Sequence, residues 1–295
     1  MLRRCLDALA KQTVPCDQFE VLIVDDASQM PTFQTLGREY EQSPLRIRWF
    51  RVEPNSPARA RNRGLEEATG KYVLFIGDDV LALPGMLRAH LDAHANHDET
   101  VAVLCRIATD PDLLTTPFQR FFDPFGFDRI SGDQFLDHKF FWTNNISVDR
   151  DFLCRHGRFD EEFADAHHED VELGWRLEQA GLRILFKDVL VAIHHHPYTL
   201  ESACRLMYGR GSAYHILRRK VPEQVFRQHL GIFSWKNHPV HTLRSLARSV
   251  LFNRVTAGAW LRWLSREREN RVRSFFYWKL LAYHANLGFR RAAKA

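Results

Sequence analysis

The chain has 295 residues, 45% hydrophobic and 26% charged, which excludes wholesale disorder and leaves room for one large α/β domain with an appendage or for two small domains. No run of 18 apolar residues occurs and residues 1–10 lack a continuous apolar stretch, so neither a membrane-spanning helix nor a signal peptide is expected. The net charge of +5 hides a polarity, +15 over residues 201–295 and −10 over residues 1–200, that suits cations and polar ligands at the body and an anionic surface, phospholipid or nucleic acid, at the tail.

Leu2, Cys5, Leu6 and Leu9 recur at helical spacing, so the chain opens inside a helix. Residues 19–24 form a short β-branched run ending at Asp25-Asp26, the pattern of a strand buried on both faces of a parallel sheet. A polar helix-like segment covers 33–42, and 47–52 alternates weakly as another strand. Asn55-Ser56-Pro57 caps a helix over 58–68, with Gly70 as its stop. Residues 72–76 are a strong strand ending at Gly77-Asp78-Asp79; Pro84 opens the next helix, and 101–107 is a third strong strand. Residues 109–140 read as loop, rich in Phe, Asp and Pro. A helix begins near Asp149, and another runs from Glu169-Asp170 through Gln179 and stops at Gly181. Two short strands, 184–186 and 189–193, lead to His194-His195-His196-Pro197, and from 201 onward the pattern changes to long basic helices.

Strands alternating with helices predict a mostly parallel sheet, and both strong acidic pairs fall at carboxyl ends of strands, where open α/β sheets bind ligands. The expected division is an α/β domain over 1–200 and a basic helical extension over 201–295. The five cysteines, Cys5, Cys16, Cys105, Cys154 and Cys204, are scattered and form no CxxC pair, which reads as a reducing compartment without structural zinc.

Each chemical motif has two readings. Asp25-Asp26 is either a loop cap or a carboxylate that accepts hydrogen bonds from a nucleotide base or ribose. Asp78-Asp79 is a solvated turn or a repelling pair relieved by Mg²⁺ or Mn²⁺, which would bridge a diphosphate. Glu169-Asp170 is favourable charge at a helix start or a general base for an acceptor hydroxyl, and spacing does not decide. Adjacent histidines on a strand point to opposite faces, so at most two of His194, His195 and His196 can share one ion. Arg59, Arg61 and Arg63 suit either phosphate or surface ion pairs.

Taken together, the motifs from residue 2 to 197 resemble glycosyltransferase family two, with its GT-A fold. The resemblance rests on Cys5-Leu6-Asp7-Ala8-Leu9 to Gln12, then Glu20-Val21-Leu22-Ile23-Val24-Asp25-Asp26-Ala27-Ser28, and Ala60-Arg61-Asn62-Arg63-Gly64 to Ala68. It continues through Gly70-Lys71-Tyr72-Val73-Leu74-Phe75-Ile76-Gly77-Asp78-Asp79, Asn145-Ile146-Ser147, Gly157-Arg158-Phe159-Asp160-Glu161 and Glu169-Asp170-Val171-Glu172-Leu173. It implies a GT-A-type nucleotide-sugar-binding sheet flanked by helices, and an inverting transfer of a sugar from a nucleotide sugar, UDP by default, to a glycan, lipid-linked or other hydroxyl acceptor. By position, Asp25 and Asp26 would meet the nucleotide, with Arg61 and Asn62 beside it. Asp78 and Asp79 would bind the diphosphate and, with His194 or else His196, a Mn²⁺ or Mg²⁺ ion. Asp170, with Glu169, would supply the catalytic base.

Three departures stand out. The family opens with a strand and a Pro-Thr-Tyr-Asn-like loop, and this chain starts after it. Gly77 stands where an Asp-x-Asp motif has its first acid, and Thr143-Asn144 stands where a Gly-Gly commonly precedes Asn-x-Ser. A nucleotidyltransferase or a non-catalytic remnant of the fold are the alternatives; the first leaves Glu169-Asp170 unexplained, and the missing strand favours the second. The tail has no nucleic-acid motif, so no nucleic-acid partner is expected. Its aromatics, Trp235, Trp260, Trp263, Tyr277 and Trp278, lie among arginines, with stripes of Leu251, Val255 and Ala259 and of Val272, Phe275, Phe276 and Leu280. That pattern fits helices lying on an anionic membrane, with the protein in the cytoplasm or at the inner face of the plasma membrane.

Overall fold

The structure is a computed structural model and describes residues 1–53, 56–163, 167–229, 251, 253, 255–266 and 271–293. The chain divides into two compact units, residues 1–110 with 125–196 and residues 111–124 with 197–295.

In the first unit, helix α1 (Leu2–Leu9) buries Cys5, Leu6 and Leu9, the apolar face read from its spacing. Strand β1 (Val21–Asp26) pairs in parallel with β2 (Ile47–Val52), with a short helix α2 (Thr32–Leu36) between them. Helix α3 (Pro57–Glu67) begins as expected: the Ser56 side chain accepts from the Arg59 amide, and Pro57 takes the first helical position, where no N–H is needed. Strand β3 (Tyr72–Ile76) turns through Gly77-Asp78-Asp79 into β4 (Val80–Ala82). Helix α4 (Met86–Ala95) and strand β5 (Val101–Thr109) follow, then β6 (Gln134–Leu136), β7 (Asn145–Asp149), helix α6 (Arg150–His156), helix α7 (Glu169–Gln179) and β8 (Arg183–His194). Helix α5 (Pro117–Phe121) belongs to the second unit.

The α/β class and the central sheet are as expected, but the sheet is mixed rather than mostly parallel. Its order is β3-β7-β5-β8-β4, with β6 also on β8. Among the described residues only β1–β2 and β5–β8 run parallel; β3–β7, β5–β7, β4–β8 and β6–β8 are antiparallel. The alternation rule assumes a helical crossover after every strand, and here β3 reaches β4 through a tight turn and β6 and β7 are entered from loops. The two short strands expected at 184–186 and 189–193 are one strand, β8. Its pairing with β5 shifts register at Cys105, Arg106 and Ile107, so residues 187–190 bulge outward and Val189 and Leu190 are exposed.

Helix α4 is fastened to β7 by buried polar groups. His90 Nδ1 and His94 Nε2 each lie 2.8 Å from Ser147 Oγ, and His90 Nε2 lies 3.0 Å from Asn145 Oδ1. The Asn145 amide donates to the Cys105 carbonyl, so its oxygen accepts from His90 Nε2–H. The Asn-Ile-Ser motif is therefore spent on this latch.

The two sheets do not join. β1 pairs only with β2 and β3 only with β7 among the described residues, and a cavity of about 530 Å³ lies between them. Val21 and Val24 of β1, Tyr72 and Leu74 of β3, Gly64 of α3 and Leu91 of α4 are among its walls.

In the second unit, α8 (Leu200–Lys220) starts at a capping box between Thr199 and Ser202 and packs along α11 (Arg271–Ala292). The approach is close enough that a Cβ added at Gly211 would collide with the Ala285 carbonyl, and one at Gly288 with the Tyr208 carbonyl. Helix α9 (Glu223–His229) packs on α8, and α10 (Ala257–Leu264) on α11. Phe118 and Phe122 bring residues 111–124 onto this unit, Phe118 meeting Tyr277 edge-on at 5.2 Å. Tyr277 and Leu280 are core here rather than surface, whereas Val255, Trp263, Phe275 and Trp278 are exposed. Trp235 and the side chain of Val272 lie outside the described residues. No helix among the described residues is long and apolar enough to cross a membrane.

Candidate active site

Strand β1 delivers Asp25 and Asp26 to the loop that follows. Asp25 is buried, and its carboxylate accepts from the Ser28 amide at 2.8 Å, the Thr32 amide at 2.7 Å and the Arg51 guanidinium at 3.1 Å. Burial alone would raise its pKa, but the amides of Ser28 and Thr32 outweigh burial and hold it well below the usual carboxylate range. Asp25 thus shapes the loop. Asp26 accepts from the Ser56 amide at 2.5 Å, tying the β1 end to the start of α3.

At the β3 end the two acids differ. Burial, then the charge of Asp79, raises Asp78 above its ordinary pKa. Burial acts on Asp79 too, but hydrogen bonds from His194 and His196 outweigh it and lower its pKa strongly. Asp79 Oδ2 lies 3.0 Å from His196 Nδ1 and 3.5 Å from His194 Nε2, and Asp79 raises His196 in return. Asp79, His194 and His196 can each present one ligand atom, all within 4.8 Å of one another. One carboxylate oxygen and two imidazoles form a mixed oxygen and nitrogen set, which a divalent transition ion such as Mn²⁺ accepts more readily than Mg²⁺ does. The strand alternation read from sequence selects this pair: His194 and His196 face Asp79, and His195 turns away. Asp78 stands outside the cluster. A Cβ added at Gly77 would lie 2.7 Å from Asp79 Oδ1, so a side chain at that position would have to displace the carboxylate.

Helix α7 presents the other acid pair. Glu169 is buried, its Oε1 accepts from Arg61 at 2.6 Å, and its Oε2 has no hydrogen-bond partner among the described residues. Burial first, and then the charge of Asp170, hold Glu169 above the usual carboxylate range. Asp170 is half-buried and caps its own helix through the Val171 amide. The only two non-glycine residues with positive φ among those described adjoin acid pairs: Ala27 at φ 56° after Asp26, and His168 at φ 69° before Glu169. Backbone strain of this kind costs about 1–3 kcal/mol and persists where surrounding contacts impose it.

Several expected ligand groups are instead partnered within the protein. Arg61 is paired with Glu169, Arg59 with Glu161 at 2.9 Å, and Arg63 with Glu67 at 2.6 Å. Asn62 is buried; its amide donates to the Phe159 carbonyl and to Glu161, and its oxygen accepts from the Phe159 amide. Arg63–Glu67 is an i,i+4 pair within α3, but the others join α3 to residues about a hundred positions away, which no local pattern reveals. Sequence reading also missed Asp110, whose buried carboxylate lies 2.5 Å from His195 Nδ1. With the His195 amide donating to the Asp79 carbonyl and the Asp110 amide to the His194 carbonyl, it fixes the histidine ribbon. An Asp directly after a buried strand was the available signal.

The description of glycosyl transferase family 2 matches residues 1–169. Validoxylamine A glucosyltransferase of Streptomyces hygroscopicus subsp. jinggangensis is 32% identical over 209 residues, 62% of this chain and 49% of that protein. The uncharacterised glycosyltransferase YfnE of Bacillus subtilis is 28% identical over 239 residues, covering 63% of this chain and 60% of its own. The chain thus spans about half the length of the relatives it matches. Among solved structures, the mannosyltransferase PcManGT of Pyrobaculum calidifontis, in complex with GDP-Man and Mn²⁺, superposes with a TM-score of 0.59 at 18% identity, over 97% of this chain and 83% of its own. Staphylococcus aureus TarS 1–349 in complex with UDP-GlcNAc gives 0.56 at 18% identity, over 98% and 88%. The neighbours show the fold, a GT-A-type sheet, and the match over residues 1–169 shows the kinship: the chain belongs to glycosyltransferase family 2.

Proposed function

We propose that this protein transfers a sugar from a nucleotide sugar to a hydroxyl acceptor by a single inverting displacement, assisted by a divalent cation. The observation that carries the reading is the Asp79, His194 and His196 cluster at the end of a strand whose neighbouring acid, Asp78, is raised by burial. Asp79, His194 and His196 would hold the cation, Mn²⁺ or Mg²⁺, which when bound neutralises charge on the departing diphosphate. Asp26 would face the nucleoside. UDP is the default nucleotide, supported by the TarS complex with UDP-GlcNAc, although the PcManGT complex holds GDP-Man.

The protein's own acids supply the proton chemistry. Burial and the charge of Asp170 raise Glu169 above the usual carboxylate range, which supports reading Asp170 as the base of the pair. Asp170 takes the proton of the acceptor hydroxyl. The oxygen attacks the anomeric carbon from the face opposite the diphosphate, the new C–O bond forms, and the diphosphate leaves with the electron pair of the old one. Arg61 holds Glu169 rather than phosphate. In Asp170→Asn, donor affinity should stay and transfer should fall roughly a hundredfold or more. Near-normal turnover in that variant would reduce Asp170 to a helix cap.

One further part belongs to this proposal. The acceptor would be a glycan, a lipid-linked glycan or another hydroxyl compound, and exposed Trp263, Phe275 and Trp278, with the +15 charge of residues 201–295, support contact with an anionic membrane from its cytoplasmic side.

A further inference from the structure

Asn144 lies in the short segment between the turn at His138–Phe140 and β7. Its carboxamide oxygen and nitrogen are both buried, and neither has a hydrogen-bond partner among the described residues. Folded proteins seldom leave a buried amide unbonded, because removing it from water without a replacement is costly.

The segment runs between elements that carry the site. The last pair of the β3–β7 ladder is Ile76 with Asn145, so one step further brings Asn144 level with Gly77, at the head of Gly77-Asp78-Asp79. At its other end, Phe141 packs so tightly on α7 that a Cβ added at Gly174 would lie 2.6 Å from Phe141 Cβ. The His138 amide and ring also bond to Glu178 of that helix. Phe125 meets both Trp142 and His194, at 6.2 Å and 5.0 Å between ring centres. Residues 138–144 therefore run from the middle and far end of α7, whose first residues are Glu169-Asp170, to the level of Gly77 at the strand end that carries the diphosphate acids, passing Phe125, which also meets His194. In a single displacement the transferred sugar must occupy the space between diphosphate and base.

We propose that Asn144 determines donor specificity by hydrogen bonding to the sugar being transferred. The inference rests on the transferase reading above. A carboxamide offers donor and acceptor side by side, matching a sugar hydroxyl or N-acetyl group. A site built to bond such a group discriminates strongly against a ligand lacking it.

The test is calorimetry on the full chain with Mn²⁺, using UDP, UDP-glucose, UDP-N-acetylglucosamine, GDP and GDP-mannose. For the wild type, the preferred nucleotide sugar should bind more tightly than its parent diphosphate. In Asn144→Ala and Asn144→Gly that preference should shrink about tenfold, with affinity for the parent diphosphate unchanged. Thermal melting of the ligand-free variants should be no lower than that of the wild type, since an unbonded amide has been removed. An unchanged preference overturns the assignment. So does an equal weakening of sugar nucleotide and diphosphate, or a lowered melting temperature, either of which marks a structural role. If the wild type binds no nucleotide sugar, the transferase reading falls first, and this inference with it.

Discussion

Two histidine pairs in the first unit show opposite uses of one residue type. His90 and His94, one turn apart on α4, are buried against Ser147 and Asn145, and Tyr72 stacks on His94 at 4.2 Å. Burial depresses both to about 4, so they sit neutral and hold a helix to a sheet. His194 and His196, two apart at the end of β8, meet a carboxylate instead, and Asp79 raises His196. A hydroxyl or an amide fixes a neutral imidazole in place; a carboxylate makes the imidazole part of a charged site. The partner, rather than the spacing of the histidines, decides which.

The largest test of this contrast is acid stability. Both α4 rings are neutral in the fold and charge in the unfolded chain, whose histidines titrate near 6.5. Their stabilisation is therefore full above pH 6.5 and lost as the pH falls through 4, roughly 3 kcal/mol for each ring. Denaturant titrations between pH 7 and 4 should show that loss, and His90→Leu should remove about half of it while leaving Mn²⁺ affinity intact. Stability that stays level down to pH 4 would remove the contrast. Next in size, Asp79→Ala should weaken Mn²⁺ binding by about a hundredfold or more without unfolding the chain, and His196→Ala by about tenfold. Paramagnetic resonance titration of free Mn²⁺ reads both; equal, small effects would mean that no shared ion is held there. The smallest effect concerns the second unit. Vesicles containing anionic lipid should sediment the full chain at low salt and release it as salt rises, with Trp263→Ala and Trp278→Ala weakening the association a fewfold. Salt-independent sedimentation, or none, would leave the basic helices a packing role only.

Much of the first unit was legible because its signals are local. The strands ending in Asp25-Asp26 and Gly77-Asp78-Asp79, the Ser56-Pro57 start of α3, and Gly181 with φ 98° after α7 each depend on a few adjacent residues. What escaped depends on distance in sequence. Arg61 meets Glu169 across 108 positions and His195 meets Asp110 across 85, and neither pair leaves a periodic trace. Strand direction failed for a related reason, because pairing is set by which edges meet and not by the residues of one strand. The tail was half legible: the apolar stripe through Phe275 and Leu280 marks a helix, but Leu280 faces the core and Phe275 faces outward.

The break between the two sheets also governs how the first unit comes apart. No backbone ladder crosses from β1 to β3, so opening β1–β2 breaks no rung of the larger sheet. The β1–β2 ladder can therefore open while the larger sheet stays paired, held to it by side chains, Arg61 on Glu169 and Asn62 on Phe159, and by the shared apolar core. Asp26 rides on the smaller sheet, and Asp79 on the larger. A ligand that touches both would add a tie between them, and its binding would be read as slowed deuterium exchange at the amides of Val21–Asp26.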